Sequence, residues 1–188
     1  MALSINEVKT GMAILVSNEV YIVTEVQHVK PGKGSAFIRA KLKNLKTDLN
    51  LDRTLRSADK IDDVFLDEKK MQYLYREGDT FHFMDQTNFE ENSISQSQMG
   101  DVVNFLQDNM DITAVYYKSQ IQKVYLPNFI TAQIAATEPG FKGDSSRSGT
   151  KPATIDTGAQ VQVPLFIDKG DWVKIDTRNG QYVERVQK

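Results

Sequence analysis

The sequence predicts an all-β protein of three small β-barrel domains, and three observations carry that reading. Apolar residues recur with a period of two in short runs, as expected of half-buried strands whose side chains alternate between two faces. Turn formers (Gly, Pro, Asn and Asp) interrupt those runs at short intervals. The runs also fall into three groups of about sixty residues, a size that buries a limited core, so neighbouring barrels are expected to pack. The expected boundaries are 1–65, 66–128 and 129–188.

In the first group, residues 12–17 and 20–26 are β-branched runs joined by a tight Asn18-Glu19 turn. Residues 36–45 alternate. Ile38, Ala40 and Leu42 take one face, while Phe37, Arg39, Lys41 and Lys43 take the other, so three cations line one side of one strand. Strands at 51–55 and around 64–65 complete the group. In the second group, 71–75 and 80–84 form a hairpin about Glu77-Gly78-Asp79. The helical exception is 98–107, where Met99, Val102, Val103 and Leu106 share a face and Ser97 stands as N-cap. Another hairpin spans 112–117 and 121–126. After Pro127-Asn128, the third group opens on an alternating strand at 129–136. Residues 139–158, rich in Gly, Ser, Thr and Pro, read as loop. Strands follow at 160–167, 172–176 and 182–186, the last two joined across Asn179-Gly180, the favoured type I′ signal. Short strands with glycine-rich turns suit SH3-like or OB-type barrels.

Composition narrows the function. At 188 residues, 40% apolar and 26% charged, the chain has the balance of a globular protein. No apolar run reaches the eighteen or so residues of a membrane span, and no signal-peptide pattern opens the chain, so a cytoplasmic, membrane-free protein is expected. With no cysteine, disulfides, thiolate metal sites and cysteine nucleophiles are excluded. The net charge of −2 is unevenly spread: residues 1–65 carry ten Lys/Arg against eight Asp/Glu, 66–128 five against ten, and 129–188 eight against seven. Residues 26–47 hold Lys30, Lys33, Arg39, Lys41, Lys43 and Lys46 with no acidic residue. Phosphate binding depends on local potential, so this stripe is a candidate RNA surface on an acidic protein. A solvated strand face is the plainer reading of the same residues.

Enzyme chemistry finds little to stand on. His28 and His82 have no metal-ligand partner at recognised spacing, and His82 between Phe81 and Phe83 reads as structural. No nucleophile elbow occurs, and Asp62-Asp63 and Glu90-Glu91 diverge in an extended chain. The segment Pro31-Gly32-Lys33-Gly34-Ser35 fails as a phosphate loop, because Gln27 stands where the first glycine belongs and Gly34 follows the lysine. What remains is a lysine between two glycines at a hairpin tip. Pro31 fixes one φ, while Gly32 and Gly34 allow the positive values a tight tip needs. Nothing bulky flanks Lys33, so it is able to enter a confined space; it is also what an ordinary solvated hairpin lysine looks like.

The full length decides between these. The run 29–37, Val-Lys-Pro-Gly-Lys-Gly-Ser-Ala-Phe, resembles the modified-lysine loop of the elongation factor P family. Lys151-x-Ala153, Gly158, Val161-x-Val163-Pro164, Ile167 and Gly170 are similar to that family's C-terminal signature, and Tyr73-Leu74-Tyr75, 81–85 and Phe89-Glu90 to its middle domain. The resemblance implies an SH3-like, KOW-type N-terminal barrel and two OB-fold barrels in an L-shape. It implies a non-enzymatic, monomeric factor bound to both ribosomal subunits between the P and E sites, stimulating peptide-bond formation on peptidyl-tRNA stalled at proline runs. Lys33 would reach along the tRNA acceptor end. Lys30, Arg39, Lys41 and Lys43 would meet tRNA or rRNA, and Gly143, Asp144, Ser145, Arg147 and Lys151 would face the small subunit and messenger.

No metal or cofactor is implied, but Lys33 is a candidate for covalent extension by a lysine-modifying enzyme. Two positions depart from the family pattern: Ser145 stands for threonine in Gly143-Asp144-Ser145, and Ser148-Gly149-Thr150-Lys151 lacks a second glycine. Serine keeps the hydroxyl, and Arg147 adds a charge. A paralogous factor and a generic RNA-binding β protein are the alternatives; the intact Pro-Gly-Lys-Gly tip speaks against the first.

Overall fold

The computed structural model describes residues 2–30, 32, 36–139 and 149–187. By compactness the chain divides into two units, Met1–Lys69 with Ala114–Lys123, and Lys70–Thr113 with Val124–Lys188. It is all-β, its strands forming three curled sheets with one short helix.

The first sheet comprises β1 (Ala2–Leu3), β2 (Ala13–Val16), β3 (Glu19–Val29), β4 (Phe37–Asn44), β5 (Asn50–Arg56) and β6 (Ile61–Asp63), in the order β1-β6-β2-β3-β4-β5. β2 is apolar throughout because both its faces are covered. Ile14 and Val16 join Val23, Ile38, Leu42, Leu55 and Ile61, while Ala13 and Leu15 pack with Val20, Leu45, Val64 and Val115. Ile14, Ile38 and Leu42 are fully enclosed, each contributing about 1.5–3 kcal/mol by burial. Val16 pairs with Glu19 across Ser17 and Asn18, whose φ values of 50° and 66° make this a type I′ turn one residue earlier than expected. The strand expected near 64–65 lies instead at β6; Phe65 has left the sheet and is 86% exposed.

The second sheet, β11-β10-β7-β8-β9, comprises β7 (Asp67–Glu77), β8 (Thr80–Asp85), β9 (Glu91–Ser95), β10 (Asp111–Tyr117) and β11 (Gln120–Tyr125). β9 was not expected because it has one apolar residue, Ile94, which lies opposite Phe81 and is fully buried. The helix is shorter than its periodicity predicts: α1 covers Gln96–Met99 and tightens to a 3-10 turn over Gly100–Phe105. Gly100, at φ 61°, ends the α-helical run. Ser95, not Ser97, begins it, its N–H and Oγ donating to the Gln98 side-chain oxygen at 3.1 and 2.9 Å.

The third sheet runs β14-β13-β12-β15-β16, from β12 (Phe129–Thr137), β13 (Thr150–Ile155), β14 (Gln160–Pro164), β15 (Trp172–Asp176) and β16 (Gln181–Val186). β13 falls in the stretch that composition marked as loop. Its alternation decides otherwise, since Lys151, Ala153 and Ile155 are buried in turn, and Pro152 is accommodated with its carbonyl accepting Thr137 Oγ1 at 3.0 Å. The expected type I′ turn at Asn179-Gly180 is a four-residue loop closed by Asp176 and Gln181. Of the pair only Gly180 has positive φ, at 68°.

The middle and last sheets meet within the second unit. Phe105 and Met110 pack on the core around Ile134, Val163 and Val173. Thr157 Oγ1 donates to the Asn104 carbonyl at 2.7 Å, and Gln107 Nε2 to the Thr131 carbonyl at 3.0 Å. A Cβ on Gly180 would lie 3.3 Å from Phe105 Cζ. Gly180→Ala is therefore expected to lower stability by about 1–2 kcal/mol in urea unfolding, through positive φ and this contact together. Combining it with Phe105→Leu should cost less than the sum of the two changes; additive losses would show that the contact does not matter.

Candidate nucleic-acid interface

The β3–β4 hairpin positions the candidate groups. Its last pairing is Val29 with Phe37, and residues 30–36 connect the strands. Of the expected tip, Pro31, Lys33 and Gly34 lie outside the described residues; Lys30 and Gly32 are exposed, and a Cβ on Gly32 would meet nothing within 4 Å. The expected messenger-facing residues Gly143, Asp144, Ser145 and Arg147 also lie outside the described residues.

β4 alternates as its sequence requires. Ile38, Ala40, Leu42 and Asn44 are buried, and Arg39, Lys41 and Lys43 are exposed on the opposite face. The register with β3 and β5 completes that outer face. Arg39 stands between Gln27 and Thr54, Lys41 between Glu25 and Asp52, and Phe37 between Val29 and Arg56. Arg56 is thus brought to the tip end of the face, a position that sequence spacing alone did not reveal. The Arg39 guanidinium lies 6.0 Å from the centre of the Phe37 ring.

The cations divide into two sets. Lys41 Nζ is 2.6 Å from Glu25 Oε2, and the hydrogen bond and charge of Glu25 hold its pKa above the usual lysine range. Lys43 Nζ is 2.9 Å from Asp48 Oδ1, and Lys123 donates to the other oxygen of that carboxylate. Burial raises the Asp48 pKa, but hydrogen bonds and charge from Lys123 and Lys43 more than offset this and leave it below the usual range. Arg39, Arg56 and Lys30 have no ion-pair partner among the described residues. The acid-free window of 26–47 stops one residue short of both Glu25 and Asp48, which fold back onto its lysines. Lys46, in the turn after β4, also has no ion-pair partner among the described residues, so three of these four unpaired cations, Lys30, Arg39 and Arg56, stand at the tip end.

Lys151 differs from expectation. It is 5% exposed on β13, and its ammonium donates to the Glu138 carbonyl at 2.8 Å, with Asp168 Oδ1 at 3.9 Å. Alternation turns it inward between Pro152 and Thr150, so it ties the end of β12 to β13 and is not available at the surface. Among the described residues, no group of three or more His, Asp or Glu side chains is placed to hold a metal ion, and no helix is long and apolar enough to cross a membrane.

The matches to known proteins span nearly the whole chain. Three family models match in order: the elongation factor P KOW-like domain at residues 4–61, the elongation factor P OB domain at 66–124 and the elongation factor P C-terminal domain at 130–185. Elongation factor P of Moorella thermoacetica is 46% identical over 183 residues, covering 97% of this chain and 99% of its own. That of Carboxydothermus hydrogenoformans is 42% identical over 184 residues, covering 98% of this chain and all of its own (100%). The structure of eukaryotic translation initiation factor 5A from Methanococcus jannaschii superposes with a TM-score of 0.55 at 17% identity, over 67% of this chain and 92% of that one, a likeness of fold.

Two predictions follow from the geometry. Glu25→Gln and Asp48→Asn release Lys41 and Lys43, so filter binding of tRNA across a salt series should show tighter binding and a slope steeper by about one per freed cation. Unchanged slopes would mean the lysines are already available. Lys151→Met leaves the Glu138 carbonyl unsatisfied and should lower stability to urea by about 1–3 kcal/mol; an unaffected midpoint would show that water replaces the ammonium freely.

Proposed function

The chain belongs to the elongation factor P family, and from that membership we propose that it acts in the cytoplasm as a ribosome-bound elongation factor that speeds peptide-bond formation on stalled peptidyl-tRNA. It binds both subunits between the P and E sites, and works as a monomer through Lys33. The observation that best supports this is the polarity of the β3–β4 hairpin, whose unpaired cations Lys30, Arg39 and Arg56 gather at the end that leads to Lys33. In this reading these cations grip phosphates of the acceptor arm and aim the loop along it. The paired lysines Lys41 and Lys43 contribute less, because each would have to give up a carboxylate first.

The mechanism is one of position. Proline is a constrained nucleophile, and a P-site substrate held out of line reacts slowly with it. Fixing that substrate in reactive geometry accelerates the step without a proton leaving or reaching the factor. Lys33 stands between two glycines in the sequence and in this role needs no acid or base partner, so an amine-bearing extension added by a modifying enzyme would lengthen its reach without changing its role. Gly143, Asp144, Ser145 and Arg147 are the proposed messenger-facing residues; Lys151, whose ammonium is bonded to the Glu138 carbonyl, is left out of that set.

Lys33→Ala is expected to bind ribosomes as tightly as the parent chain yet lose rescue of proline-run synthesis in a reconstituted translation assay. Full rescue by this variant would overturn the proposal.

A further inference from the structure

The outer face of β7, β8 and β9 combines exposed aromatic rings with carboxylates. Tyr75 is 48% exposed and stacks on His82 at 4.4 Å between ring centres, 9° from parallel. The Tyr75 hydroxyl donates to Glu91 Oε1 at 2.9 Å, and His82 Nδ1 lies 2.7 Å from the same oxygen. The hydrogen bond from Tyr75, followed by that from His82, holds the Glu91 carboxyl below its usual range, so it is ionised at neutral pH. On the other side of the imidazole, Glu77 Oε2 is 3.8 Å from Nε2 and its side chain is 83% exposed.

The hairpin joining β8 and β9 ends in a second exposed ring. Phe89 is 72% exposed and has φ 60°, a left-handed backbone that bulky side chains rarely adopt. The turn is held from several sides. The buried Asp85 accepts Phe89 N–H at its carbonyl (2.9 Å) and Thr87 N–H at Oδ1 (2.8 Å), and Asn88 Oδ1 accepts Glu90 N–H at 3.1 Å. Asparagine or glycine would sit at position 89 with less strain. A large apolar ring is therefore held out to solvent where neither burial nor backbone preference calls for one.

β8 and β9 are the second and third strands of this barrel, the face with which OB folds take oligonucleotides. Nucleic-acid-binding faces pair aromatic rings with cations. This one pairs them with Glu77 and Glu91. Lys70, near the start of β7, is the cation on the same side, while Arg76 lies opposite Phe81 on the other face, 3.6 Å from Asp79. RNA phosphates are repelled by such a surface, whereas guanidinium and ammonium groups gain from both its carboxylates and its ring faces.

We propose that the outer face of β7–β9, with Phe89 at its edge, is a docking surface for a basic segment of a partner protein. This is independent of the role assigned to Lys33. An arginine-glycine decapeptide serves as the probe, titrated into the isotope-labelled full chain and followed by amide chemical shifts, with a uridine dodecamer in parallel. The peptide should shift the amides of 75–77, 82–84 and 88–93, and the oligonucleotide should leave them in place. Phe89→Asn and Tyr75→Leu keep every charge, and Asn suits the left-handed turn; each should weaken the peptide by about fivefold, as expected for one cation–ring contact. Circular dichroism establishes that the variants are folded. The proposal is overturned if the peptide shifts are spread over the acidic surface at large, if both folded variants bind as the parent does, or if the dodecamer occupies this face.

Discussion

Along β4, every second side chain enters the core of the first barrel, and the intervening ones are thereby turned outward. Ile38, Ala40, Leu42 and Asn44 are buried, and the cations between them have no choice of face. A slip of one residue in register would carry Arg39, Lys41 and Lys43 into the core, at a cost of several kcal/mol for each unpaired ion. The pairing of β4 with β3 and β5 is therefore fixed by what it keeps out as much as by what it buries. That register also decides which residues of the neighbouring strands share the outer face. It brings Arg56 beside Phe37 and sets Glu25 against Lys41.

The sign of a surface is consequently a property of the fold as well as of the sequence. Six cations in an acid-free window look like one uniform stripe. In the folded chain, Glu25 and Asp48 tie up Lys41 and Lys43 in its middle, and among the described residues Lys30 and Arg39 toward the loop and Lys46 in the far turn have no ion-pair partner. Exposed ion pairs add little to stability, so the arrangement is better understood as shaping the local potential. With Arg56 added beside Phe37, the unpaired charge is greater at the tip end than at the far end, which gives an approaching polyanion a direction that a uniform stripe would not. The acidic second sheet extends the same logic, since its exposed rings are set among carboxylates.

The sequence was most readable where a single element sufficed to define a face. β15 was recovered at its full span and β12 nearly so, because clean alternation over buried Ile130, Ala132, Ile134, Val173 and Ile175 reports the core directly. β9 and β13 were missed for opposite reasons. The first has one apolar residue and exists because β8 pairs with it; the second is hidden by Pro152 and by the turn-forming residues around it. The helix was located, but Gly100 halves it. Among the candidate site residues, the outward cations of β4 were plain from period two. Their neutralisation was not, because it depends on residues just outside the window and, for Lys123, on a strand far along the chain. Lys151 carried a family signature whose position said nothing about which way its ammonium points.

The unpaired arginines at the tip end of the first barrel, not the paired lysines behind them, are expected to carry the contact with RNA. The most direct measurement is the salt dependence of ribosome binding for Arg39→Ala and Arg56→Ala beside Lys41→Ala and Lys43→Ala. Each arginine variant is expected to lose about one unit of the slope of log affinity against log salt, while the lysine variants stay close to the parent. Equal losses from all four, or losses confined to the lysines, would contradict this expectation.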